Sequence, residues 1–347
     1  MLKVLIVDDS AIARELLAQI LSSDPQIEIV GVAKNGQEAV EFAKKHRPDI
    51  ITMDIHMPVM NGFEATKEIM IECPTPIVIV SASTAVNEVE WAMQSLRAGA
   101  LTLQLKPPGP DSPDFDRDAR ELIESVKAMA EVRVMRHRRR IEDPKPIPEA
   151  ISRNSTHSGL RAVAIAASTG GPPALNQLLG ELPREFPLPI LLVQHIADGF
   201  VEGFAAWLHA SVALTVKIAE GQEVLQPGTV YVAPQAKHLG ASLGGRVLIS
   251  DDPAIGGFRP SATYLFESCA HAFRDKLVGI VLTGMGRDGV DGLRTLRELG
   301  GHTIAQDKAT SVVFGMPGVA VAEGLADAVV PIGRMASHLL NLVTRPR

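Results

Sequence analysis

Three side chains that together can build a nucleophile lie far apart in this sequence: Ser168, His195 and Asp288. A serine hydroxyl attacks a carbonyl carbon when a base takes its proton, and an imidazole serves best when a carboxylate fixes its tautomer. Ser168 stands in RAVAIAASTGGPPAL, where an apolar run gives way to small residues and then to a helical pattern. Gly170 and Gly171 allow a tight turn there, and Pro172 or Pro173 suits a first helical turn. His195 closes the apolar run of PILLVQHIADGF, and Asp288 follows that of LVGIVLTGMGRDGVDGL. Each has a plainer reading, as an N-cap serine, a structural histidine at a strand end and an N-cap aspartate. A phosphate-binding loop is a further reading of the serine segment, although it lacks both GxGxxG and the P-loop pattern. Convergence favours chemistry, because all three residues fall at carboxyl ends of strands expected in one sheet, where side chains can meet. Gly284, Gly286 and Gly289 are expected to leave backbone N–H groups free for a developing oxyanion. His238, in APQAKHL, also follows a strand and competes with His195 for the role of base.

A second constellation is acidic. Asp8 and Asp9 follow the first apolar run, Asp54 follows the third, Ser81 closes the fourth and Lys106 the fifth. Carboxylates so close raise each other's pKa unless a cation intervenes, and a hard divalent ion such as Mg²⁺ suits an all-oxygen donor set. A carboxylate there can accept a phosphoryl group, with Mg²⁺ and a lysine offsetting its charge. An aspartate after a strand is more often a helix cap, and a lysine before proline more often a surface loop. Five such residues at the ends of four strands are not explained that way.

The elements that must hold these groups read as two alternating α/β segments. The first places strands at 2–7, 27–33, 49–53, 76–80 and 100–105, with amphipathic helices at 11–22, 37–46, 62–72, 87–98 and 115–130. That pattern implies a parallel sheet covered on both faces. The second places strands at 162–167, 189–194, 229–233, 277–282, 302–305 and 328–331, a further one at 214–219 and part of a hairpin at 244–250. Between them, 131–159 mixes RVMRHRRR with prolines and small polar residues and reads as a linker.

Bulk properties agree with two packed domains. The 347 residues are 46% hydrophobic and 21% charged, with a formal net charge of -6. That balance gives no reason to expect nucleic acid as the main partner, and no helix-turn-helix with a basic recognition helix stands out. Cys73 and Cys269 form no CxxC pair, the leading apolar run is too short for a signal peptide, and no segment suits a membrane span. A cytoplasmic protein without membrane insertion is therefore expected.

The segments VLIVDDS, DIITMDIHMPVMNG, PIVIVSA and LKPP resemble the receiver domain of response regulators. The resemblance implies Asp54 as phosphoacceptor, Asp8, Asp9 and Asp54 as Mg²⁺ ligands, and Ser81 and Lys106 as switch and phosphate contact. It also implies a cis bond before Pro107. Leu103 stands where receivers often carry an aromatic switch residue. The segments AASTGG, VQHIADGF, VYVAPQAKHL, FRPSATYLF, LTGMGRDG and IAQDKATSVVFGMP resemble the catalytic domain of the CheB family, chemotaxis methylesterases. This implies Ser168 as nucleophile, His195 as base, Asp288 as orienting acid, and Thr169 and Met285 as active-site neighbours, the latter donating its N–H to the oxyanion. Ala166 replaces a glycine usual in the family, with some stiffening of the turn expected. The expected architecture is a flavodoxin-like receiver at 1–128, a linker at 129–160 and a doubly wound, mostly parallel α/β esterase domain at 161–347. The resemblance further implies hydrolysis of glutamate methyl esters, and deamidation of glutamines, on cytoplasmic helices of chemotaxis receptors. No cofactor is expected for that hydrolysis. A CheA-type histidine kinase would supply the phosphoryl group, relieving a receiver that covers the cleft. The same esterase in a pathway other than chemotaxis, and a non-catalytic signalling scaffold, remain alternatives.

Overall fold

A computed structural model describes residues 1–81, 86–132, 134 and 159–344, with the side chains of 86–90 outside the description. Contacts divide the chain into two units, Met1–Asp143 and Pro144–Arg347. The arginine-rich run and most of the expected linker lie outside the described residues.

In the first unit, strands β1 (Leu2–Val7), β2 (Ile27–Ala33), β3 (Ile50–Met53), β4 (Ile77–Ser81) and β5 (Thr102–Leu105) alternate with helices. These are α1 (Ala11–Ser22), α2 (Gly36–His46), α3 (Gly62–Glu72), α4 (Val86–Arg97) and α5 (Phe115–Ala130). The sheet order is β2-β1-β3-β4-β5 and every pairing is parallel. Val4–Val7 and all of β3 and β4 are buried, as a parallel sheet with both faces covered requires. The winding reverses between β1 and β3, so the crevice at their carboxyl ends is the natural site. Helix starts carry their own signals: Asn61 and Glu64 form a capping box that starts α3 just beyond Asp54. The Lys106–Pro107 bond is trans, against expectation, and the cis peptide among the described residues is Arg259–Pro260. The isomers of an X–Pro bond differ by only about 0.5–1 kcal/mol, too little for sequence to choose.

The second unit begins with β6 (Ala162–Ala167), α6 (Gly171–Gly180), β7 (Ile190–Gln194), α7 (Val201–Ser211), β8 (Thr215–Ile218) and β9 (Thr229–Val232). An antiparallel hairpin follows, β10 (His238–Ala241) with β11 (Val247–Ser250), then α8 (Ala262–Phe273). β12 (Leu277–Val281), α9 (Val290–Glu298), β13 (His302–Gln306), α10 (Met316–Ala322), β14 (Ala328–Val330) and α11 (Ile332–Thr344) complete it. Its seven-stranded sheet runs β14-β13-β12-β6-β7-β9-β8, parallel throughout. From β6 the chain builds outward through β7, then returns to the other side of β6 with β12. The crevice beside β6 is therefore this sheet's switch point. Ala166 lies within β6, fully buried against Val193 and Val281, so its methyl group packs in the core rather than in the turn.

Candidate active site and acidic pocket

The end of β6 is built to turn sharply. Gly170 has φ +76°, and a Cβ there would lie 2.5 Å from that of Val312. Gly171 then opens α6, with its N–H donating to Ser168 O at 2.8 Å and prolines in the first helical turn. Ser168 is left at the strand end ahead of a helix N-terminus, partly exposed. β7 lies alongside, with Ala167 opposite Gln194, and the His195 N–H donates to Ala167 O at 2.9 Å. Nucleophile and base candidates thus leave adjacent strands at the same level.

Asp288 arrives from the other side, in the loop after β12. Its carboxylate is clamped on the N-terminus of α8. Oδ1 accepts from Ser261 Oγ at 2.8 Å and from the Thr263 N–H at 3.1 Å, and Oδ2 accepts from the Ala262 N–H at 2.7 Å. His195 Nε2 lies 3.0 Å from Oδ2. Burial pushes the Asp288 pKa up, but the imidazole, the two N–H donors and the serine outweigh it and hold the carboxyl at about 2. A positive helix end adds to that stabilisation. A tautomer protonated on Nε2, facing the carboxylate, would leave the buried Nδ1 as the basic nitrogen; neither ring nitrogen completes a hydrogen bond among the described residues. No hydrogen bond joins Nδ1 to the Ser168 hydroxyl in this geometry, and such contacts commonly tighten only when substrate is bound.

His238 cannot compete for the role of base. It is fully buried and stacks on Tyr264; its Nδ1 accepts from the Ser261 N–H at 3.2 Å and its Nε2 faces Pro253 O at 3.1 Å. Both nitrogens are occupied, and the ring braces the residue that holds Asp288. The oxyanion expectation is also corrected in part. The Gly284 N–H donates to Val313 O at 3.1 Å and that of Gly289 to Thr263 Oγ1 at 2.9 Å, so neither is free. The N–H groups of Met285, Gly286 and Thr169 have no acceptor among the described residues.

Two residues were not singled out by sequence. Gln194 is buried at the end of β7, and its Nε2 donates both to Ser168 O at 2.9 Å and to His195 O at 2.6 Å. Ser261 caps α8 while donating to Asp288, and its place just before ATYLFESCA is a helix-start signature that could have found it.

In the first unit the crevice holds the five expected residues. Asp8, Asp9 and Asp54 each offer an oxygen within 4.8 Å of the others, Asp9 being the exposed member. Lys106 Nζ lies 2.6 Å from Asp8 Oδ2 and 3.2 Å from Asp54 Oδ2, while the Lys106 backbone N–H donates to the carbonyl of the buried Ser81 at 2.8 Å. Burial raises the Asp54 pKa to about 6; Lys106 opposes this and Asp8 adds to it. Such crowded, hard, oxygen-only donors fit Mg²⁺, which keeps waters to complete its octahedron. Leu103 is buried in β5.

The family described as CheB methylesterase matches residues 163–339, and the one described as response regulator receiver domain matches 4–112. The chain is 50% identical to protein-glutamate methylesterase/protein-glutamine glutaminase 4 of Myxococcus xanthus, over 98% of this chain and 96% of that protein. It is 49% identical to protein-glutamate methylesterase/protein-glutamine glutaminase 3 of Anaeromyxobacter dehalogenans, over 98% of each. The crystal structure of the Thermotoga maritima CheB methylesterase catalytic domain is 40% identical, covers 53% of this chain and 99% of its own, and superposes with a TM-score of 0.51.

Proposed function

The chain belongs to the CheB methylesterase family, and we propose that it hydrolyses glutamate methyl esters on chemoreceptor helices by a serine mechanism switched on through its receiver. Membership makes it a protein-glutamate methylesterase and protein-glutamine glutaminase, with a receiver domain ahead of the hydrolase domain. The observation that carries the mechanism is a buried, helix-clamped Asp288 carboxylate 3.0 Å from His195 Nε2.

With Nε2 holding its proton against Asp288, Nδ1 takes the proton of Ser168 as Oγ bonds to the ester carbonyl carbon. The tetrahedral oxygen becomes an anion beside the unused N–H groups of Met285 and Thr169. Collapse breaks the bond to the methoxy oxygen, which leaves as methanol with the proton from Nδ1. Water then repeats the sequence on the acyl-enzyme, with Nδ1 as base again, giving glutamate and free Ser168. For a glutamine, ammonia leaves in place of methanol. Proton transfer of this kind contributes about 10²–10⁴-fold, and an oxyanion donor about 10²–10³-fold.

In the receiver, Asp54 would accept the phosphoryl group from a CheA-type kinase or a small phosphodonor in the cytoplasm. Asp8, Asp9 and Asp54 would hold Mg²⁺, which offsets the charge of the transferring phosphoryl oxygens when bound. Lys106 leaves the carboxylates to meet the new phosphate, and the Ser81 hydroxyl lies on the next strand end. The test is methanol release from a methyl-esterified receptor fragment by the full chain, with and without acetyl phosphate and Mg²⁺. The phosphodonor should raise the rate about 5- to 150-fold, the usual range of such couplings. No methanol in either state would overturn the esterase reading, and equal rates would overturn the regulation.

A further inference from the structure

Phe258 lies face to face with the imidazole of His195, ring centroids 4.5 Å apart and planes 15° from parallel. Nothing in the serine mechanism requires an aromatic ring there, and Phe258 is 39% exposed although it is large and apolar. Its position is built. The Phe258 N–H donates to Ile255 O at 3.0 Å, and the Ile255 N–H donates back to Phe258 O at 3.1 Å. Gly256 and Gly257 close this hairpin with φ of +60° and +88°, the pair of left-handed residues that a tight two-residue turn demands. Arg259 Nη1 anchors the next residue on Asp251 O at 3.3 Å, and Ser261 then grips Asp288. One short segment therefore presents a ring to the base and a hydroxyl to the acid that orients it.

We propose that Phe258 is a positioning residue for His195, its ring fixing the plane of the imidazole and stabilising the imidazolium that forms as Ser168 attacks. The inference rests on the serine mechanism above. Asp288 constrains the imidazole only along the Nε2 direction, which leaves rotation about that line. A stacked ring removes that freedom and fixes the plane in which Nδ1 must receive the Ser168 proton. The ring face carries negative charge density, so its attraction grows when the imidazole takes the proton. That is stabilisation made in the transition state rather than in substrate binding, and it belongs in kcat.

Three variants of the full chain separate this from mere cover, assayed as methanol release from the methyl-esterified receptor fragment with acetyl phosphate and Mg²⁺. Phe258→Leu keeps an apolar lid without a π face; it should lower kcat about 2- to 30-fold and leave KM nearly unchanged. Phe258→Tyr should restore kcat to within about twofold of the parent. Phe258→Ala should fall at least as far as Phe258→Leu. A Phe258→Leu kcat equal to that of the parent, or a loss confined to KM, would overturn the proposal. So would a Phe258→Tyr chain as slow as Phe258→Leu. A parent chain releasing no methanol would instead remove the esterase reading, and this inference with it.

Discussion

Two buried aspartates, one directly after a strand and one in the loop beyond another, serve the same kind of parallel sheet, and their surroundings drive them in opposite directions. Asp54 shares its crevice with Asp8 and Asp9, and burial raises its pKa to about 6 despite Lys106. Asp288 is equally removed from water, yet two N–H groups of α8, a serine hydroxyl and an imidazole hold it at about 2. Position in the fold does not set a carboxylate's role. The charges and dipoles facing it do. The first pocket is short of positive charge, which suits the cation and phosphoryl group proposed for it. The second is already supplied with donors, which suits the proposed role of its aspartate as an anion that orients a base.

The sharpest way to break this contrast is Asp288→Asn. An amide offers His195 the wrong tautomer, so kcat should fall about 10³–10⁴-fold, read as methanol release from the receptor fragment. A loss under tenfold would mean that Asp288 does not orient the base. Asp54→Asn acts on the other pocket. It should abolish the roughly 5- to 150-fold activation by acetyl phosphate while leaving the basal rate intact, and a retained response would place the phosphoryl group elsewhere. Gln194→Leu asks whether neutral hydrogen bonds also position the catalytic strand ends. Loss of its two bonds to Ser168 O and His195 O should cost about tenfold in kcat, checked by the same assay.

The smallest effect is in stability, and its sign differs between the pockets. The folded pKa of Asp54 is raised from 3.8, so its contribution is present below about pH 4 and lost as pH rises through about 6. That of Asp288 is lowered, so its contribution is present above about pH 4 and lost as pH falls toward 2. Asp54→Asn should therefore raise the Tm of its unit at neutral pH and Asp288→Asn should lower that of its own, each by the equivalent of on the order of 2 kcal/mol. Calorimetry of the parent and both variants from about pH 3 to 7 tests this, and shifts of the same sign would erase the contrast.

Much of this was legible in the sequence because parallel strands buried on both faces read as apolar runs, and the residue that ends each run falls at the site. Asp8, Asp54, Lys106, Ser168 and His195 were located by that punctuation. What escaped depends on partners distant in sequence. The N–H of Gly284 is spent on Val313, that of Gly289 on Thr263, and both nitrogens of His238 on Pro253 and Ser261. No local pattern announces such bonds. Gln194 reads as the last polar residue of a strand, and its link between two carbonyls appears only when β6 and β7 lie side by side.

The most direct test of a serine made nucleophilic at these strand ends is a rapid-quench mass measurement on the full chain, phosphorylated at Asp54 and turning over methyl-esterified receptor fragment. The account predicts an acyl adduct on the peptide containing Ser168, and neither adduct nor methanol from Ser168→Ala. Methanol released by Ser168→Ala at a rate within about tenfold of the parent would contradict it, since losing such a nucleophile costs several orders of magnitude.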